Sequence, residues 1–97
     1  MMFGRNKKKL ELNSRELRIM RYSINDFRNA LIRENKPADV ANDVMIKLKN
    51  KMKVDKYDVG AMINSLRRSR DNVSKDKTEI DDLLLKLVDV YDSFNGT

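Results

Sequence analysis

Leu12-Asn13-Ser14-Arg15-Glu16-Leu17 and, 42 positions further on, Val54-Asp55-Lys56-Tyr57-Asp58-Val59 spell the same helix start twice. In each, a short side chain with an acceptor oxygen (Asn13, Asp55) stands at the cap. An acid follows three residues later (Glu16, Asp58), and an apolar residue lies on either side (Leu12 with Leu17, Val54 with Val59). The cap oxygen can accept a free N–H of the first turn and the acid can reach back to the cap's own N–H. The apolar pair fixes the angle at which the chain enters.

Behind the first start, Leu17, Met20, Ile24, Phe27 and Leu31 step by three and four and share one helical stripe, predicting a helix over 14–34. Asn35-Lys36-Pro37 interrupts it, with Pro37 expected at the first position of a second helix, where a missing N–H costs nothing. That helix places Val40, Ala41, Val44, Met45 and Leu48 on one face, and Lys47, Lys49, Lys51 and Lys53 crowd its end, where cations complement the dipole. The third stripe is Val59, Met62, Leu66, Ser69 and Val73. Asp76 and Glu79 form another capping pair ahead of Ile80, Leu83, Leu84, Leu87, Val88, Tyr91 and Phe94, and Asn95-Gly96-Thr97 is the expected stop.

Every stripe position of segment one recurs 42 residues later in segment three, caps included. Segments two and four match at a spacing of 39, where Asp43-Val44-Met45-Ile46-Lys47-Leu48 corresponds to Asp82-Leu83-Leu84-Leu85-Lys86-Leu87. The expectation is an all-α fold of two duplicated antiparallel hairpins (12–53 and 54–94) forming a four-helix bundle, because one hairpin cannot bury its apolar face alone. Residues 1–11 are expected as a flexible basic arm ahead of a single helical domain over 12–97. Met20, Met45, Met52 and Met62 lie on or near the stripes as adaptable filler. The apolar spread of the fourth segment, Leu85 included, marks it either as central or as a self-association surface.

Polar positions shared by both copies are Ser23/Ser65, Arg28/Arg70, Asn29/Asp71, Asp43/Asp82 and Lys47/Lys86. An Arg at the edge of a stripe beside an Asp on the next helix predicts one ion pair within each hairpin, Arg28 with Asp43 and Arg70 with Asp82. The helix carrying Ser23-Ile24 and Arg28-Asn29, the Glu34-Asn35-Lys36 turn and the ending Ile46-Lys47-Leu48 resemble short helical-hairpin proteins encoded in prophages and mobile elements of Gram-positive bacteria. The end of the second copy, Asp82-Leu83-Leu84-Leu85-Lys86-Leu87, resembles them more closely. The resemblance spans most of 12–88 and implies a phage or mobile-element context, but no activity.

The 97 residues contain no Cys and no His, which excludes disulfide frameworks, Cys/His zinc sites and His-dependent catalysis. Hydroxyls without a His partner and three scattered glycines offer neither a nucleophile nor a phosphate loop. The acids Asp76, Glu79, Asp81 and Asp82 suit a first helical turn better than a metal site. A non-enzymatic protein is expected, with no cofactor, no metal and no small-molecule substrate. No apolar run approaches the ~20 residues of a membrane span, and the Met1-Met2-Phe3 start is far from a signal peptide, so a cytoplasmic location is expected.

The formal charge is +6 and unevenly placed, with 14 basic against 6 acidic side chains over 1–53 but 7 against 9 over 54–97. The leading functional expectation is a small accessory or regulatory module that binds a protein, including a second copy of itself as a homodimer. The alternative is nucleic-acid binding through Arg5, Lys7, Lys8 and Lys9 of the arm, Lys47, Lys49, Lys51 and Lys53 at the helix exit, and Arg67, Arg68 and Arg70.

Overall fold

Both capping boxes close. Asn13 Oδ1 accepts the Glu16 N–H at 2.8 Å while Glu16 Oε1 accepts that of Asn13 at 2.9 Å. Asp55 and Asp58 exchange the same two bonds, each at 2.9 Å. They start α1 (Ser14–Arg33) and α3 (Lys56–Asn72); α2 (Asp39–Lys49) and α4 (Lys77–Asn95) complete the set in a computed structural model that describes residues 6–72 and 77–95. The expected Asp76 cap, stripe residue Val73 and the Gly96-Thr97 stop lie outside the described residues.

The turn after α1 shows why the chain reverses where it does. Asn35 is left-handed (φ 57°), its N–H donates to the Ile32 carbonyl at 3.1 Å, and that of Lys36 reaches Leu31 at 2.9 Å. This double closure satisfies carbonyls that have no partner within the helix, and Asn tolerates its backbone angle better than most residues. Pro37 does not open α2, contrary to the sequence expectation: Ala38 is the N-cap, without a side-chain bond, and the first helical residue is Asp39. Ala38 has φ −112° and ψ 15°, outside the helical region, so regular winding begins only at Asp39. α2 ends like α1, with Lys51 left-handed (φ 54°) and the Met52 N–H on the Lys47 carbonyl at 2.9 Å.

Arg28 meets Asn42 near the start of α2 while Arg21 and Tyr22 share a groove with Ile46 and Lys49 near its end, and Arg70 meets Asp81 while Gly60 faces Tyr91, so α1/α2 and α3/α4 each run antiparallel as a hairpin. α1 and α3 pack on each other at the centre, α2 bridges them, and α4 lies on α3 and meets α1 only at its edge. Equivalent positions do equivalent work in the core. Met20 and Met62, Ile24 and Leu66, Val44 and Leu83, and Leu48 and Leu87 are all buried, as are the small hydroxyls Ser23 and Ser65. Two expectations for the first hairpin fail: Val40 turns outward, and Met52 sits half-exposed in the turn. An 11-residue helix covered on one side leaves its flanks to solvent.

The described part of the expected free arm, residues 6–11, is bound to the domain. Lys8 and Val54 exchange backbone bonds of 2.8 and 2.9 Å as a single antiparallel bridge, and Leu10 packs on the core beside Leu12. Val54 precedes the α3 cap, so its N–H and C=O are open to such pairing, and burial of Leu10 anchors the strand. Lys8 also donates to Ser93 Oγ at 2.7 Å and lies 4.9 Å from the Phe94 ring centroid, joining the segment to the end of α4.

A lysine held left-handed is strained by roughly 1 kcal/mol because its Cβ crowds the following carbonyl. Lys51→Gly is therefore expected to raise the urea midpoint, with a gain of about 0.5–1 kcal/mol at unchanged slope. A lowered midpoint would show that the Lys51 side chain stabilises the turn more than its backbone strains it.

Candidate functional site

Two lysines tie the hairpins together through the capping acids. Lys47 Nζ of α2 lies 2.6 Å from Asp58 Oδ2 of α3 and 2.8 Å from Asp43 Oδ2, with its side chain only 10% exposed. Lys86 Nζ of α4 donates to Glu16 Oε1 of α1 at 3.0 Å. Each acid serves twice, closing its own helix start and receiving a cation from the helix packed beside it. Burial opposes the charge on Lys47, but the bonds and fields of Asp43 and Asp58 prevail and its pKa is raised above 10.5. The Asn13 N–H, with Lys86 behind it, prevails over desolvation and holds the Glu16 carboxyl below 4.5.

The expected Arg28–Asp43 and Arg70–Asp82 pairs are corrected by one position each. Arg28 donates to Asn42, and to Asn29 at 3.3 Å, while Asp43 turns toward Lys47 four residues on. Arg70 pairs with Asp81. The shift is the same in both hairpins, because the residue facing the Arg is set by how the second helix is rotated about its axis.

These contacts take up three members of the basic set expected from the sequence. Lys47 is buried in its ion pairs, Arg70 is matched by Asp81, and Lys8 is committed to Ser93 and Phe94. Arg5 lies outside the described residues. Lys7, Lys9, Lys49, Lys51, Lys53 and Arg67 are exposed, and Arg68 is half-buried. The lysines of the α2 exit also diverge: Lys51 joins Lys9 over a groove lined by Leu10, Leu12 and Leu17, whereas Lys49 faces a different groove between α1 and α2. Among the described residues, no acidic cluster could hold a metal ion, and no helix is long and apolar enough to cross a membrane. Ser69 Oγ and Arg68 Nε are buried without a hydrogen-bond partner.

What sequence reading missed is that several stripe residues stay uncovered and share a groove with apolar residues off the stripes. A groove of about 390 Å³ gathers residues from all four helices: Phe27 and Leu31 of α1, Val40 and Ala41 of α2, Tyr57, Gly60 and Ala61 of α3, and Tyr91 of α4, with Pro37 from the turn. Val40 is 47% exposed and Tyr57 63%. Gly60 lies on the floor beside the Tyr91 ring, where a Cβ would make an ordinary contact at 3.6 Å. The signal in the sequence is apolar excess: Tyr57 sits ahead of the third stripe, and Val40 at the margin of the second.

Comparison of the chain with protein-family models, curated proteins and solved structures gives no match.

A group whose folded pKa is depressed stabilises above its unfolded value and loses that contribution as pH falls through the folded one. Glu16 is such a group. Thermal melts are expected to drop as pH is lowered below 4.5, and Glu16→Gln should shrink that drop while lowering the neutral-pH melt. Equal acid sensitivity in the two proteins would deny Glu16 this role. Lys47 has the opposite sign: with its pKa raised, its contribution is complete below 10.5 and is lost as pH climbs through the folded value.

Proposed function

We propose that the protein is a cytoplasmic, non-enzymatic accessory module that binds a protein partner in the groove over Phe27, Val40, Tyr57 and Ala61, and that its hairpins are two copies of one unit. The observation that carries the first part is the groove itself: side chains from four helices converge on one concave apolar surface, with Val40 and Tyr57 at its open edge. An amphipathic helix laying its apolar face into such a groove is a common recognition mode, and burying it removes exposed apolar area from water. The matched capping boxes, the paired lysines Lys47 and Lys86, and the equivalent buried serines support the second part.

Val40→Glu tests the reading, because the side chain is already half in solvent and the fold should tolerate the charge. A partner retained by the wild-type protein is expected to be lost by Val40→Glu at unchanged melting temperature, with peptide-induced NMR shifts confined to groove residues. Sedimentation of both proteins distinguishes a second copy in the groove, which Val40→Glu would convert from dimer to monomer, from a different polypeptide. Shifts mapping elsewhere, or equal retention by wild type and variant, would overturn the proposal.

A further inference from the structure

A second groove, on the outer side of the first hairpin, has different chemistry. Arg18, Arg21, Tyr22 and Asn25 follow one another at helical spacing along one strip of α1. Across from them stand Met45, Ile46 and Lys49 of α2, and the groove between measures about 460 Å³. Tyr22 is 67% exposed and Ile46 55%.

This face sets unpaired cations beside an exposed ring and an apolar groove. Arg15 is paired with Glu79, Lys36 with Glu34 and Lys47 with two aspartates. Arg18, Arg21 and Lys49 enter no ion pair among the described residues, and no acid lines the groove; Asp26, one turn on from Tyr22, lies outside its lining. An apolar peptide seated here would cover the floor but leave the lining cations Arg21 and Lys49 unanswered. A ligand with flat apolar faces joined by regularly spaced anions answers both. Duplex DNA hides its base faces by stacking, whereas a single strand presents them.

We propose that the groove between α1 and α2 binds single-stranded nucleic acid, with a base stacked on the Tyr22 ring and adjacent phosphates held by Arg21 and Lys49. Arg18, one turn before Tyr22, extends the track for the next phosphate. This differs from the basic set expected from the sequence, of which only Lys49 takes part. It also stands apart from the protein-binding groove, so either reading can fail alone.

Fluorescence anisotropy with labelled oligo-dT and oligo-U of about 15 nucleotides, beside a duplex of equal length, tests it. Both single strands are expected to bind more tightly than the duplex, and binding should weaken between about 50 and 200 mM salt. Tyr22→Ala should weaken binding roughly tenfold while Tyr22→Phe retains it, because stacking needs the ring and not the hydroxyl. Arg21→Gln should cost more affinity than Arg67→Gln, which removes the same charge from α3. All of these side chains are exposed, and circular dichroism verifies the fold of each variant. No binding of either strand at low salt, wild-type affinity in Tyr22→Ala, or equal losses from Arg21→Gln and Arg67→Gln would overturn the proposal. The last result would reduce it to general attraction between a basic protein and a polyanion.

Discussion

An ammonium group taken out of water must find carboxylates, and Lys47 meets that demand by joining the end of one hairpin to the start of the next. Its partner Asp58 is already fixed, since the same oxygen accepts the Asp55 N–H that closes the α3 capping box. The lysine therefore meets a carboxylate that cannot swing away, and the position of α2 is tied to the first turn of α3. Lys86 and Glu16 repeat the arrangement between α4 and α1 in a more open setting. The apolar stripes supply most of the burial, but stripes alone tolerate sliding. The lysine-to-cap bonds define which turn of one helix meets which turn of the next.

The same arithmetic of charge shapes the surface. The first half of the chain carries the excess of cations, and internal contacts take up several of them: Lys47 buried in the hairpin junction, Arg28 across α1 and α2, and Lys8 at the end of α4. Those left over are what the surface can offer a ligand. Arg21 and Lys49 flank an exposed ring on one side of the first hairpin, whereas the groove around Val40 and Tyr57 takes one lining cation, Lys56, which lies 5.1 Å from the Tyr91 ring centroid.

Local features were legible in the sequence. The boxes at Asn13/Glu16 and Asp55/Asp58 depend on residues three apart, and the stripes on helical periodicity, so both survive without knowledge of the partners. Features that depend on rotation or distant pairing were not. The Arg28 and Arg70 partners were each misplaced by one residue because helix rotation follows from packing across the bundle. The pairing of Lys8 with Val54 joins residues 46 apart through backbone groups, which leave no mark in composition. The grooves were missed for a related reason: whether Tyr22, Val40, Ile46 or Tyr57 is covered depends on whether another helix arrives, and α2 is too short and α4 too far from α1 to cover them.

The junction is tested most directly by a double-mutant cycle with Lys47→Met and Asp58→Asn in urea unfolding. Asn retains a side-chain acceptor for the capping box, so the cycle isolates the charge. Lys47→Met leaves the buried Asp58 carboxylate without its cation and should lose about 3 kcal/mol, Asp58→Asn leaves Lys47 on Asp43 alone and should lose less, and the double variant should recover much of the larger loss, giving a coupling of about 1–3 kcal/mol. Additive losses, with a coupling below about 0.5 kcal/mol, would contradict the claim that this ion pair holds the two hairpins in register.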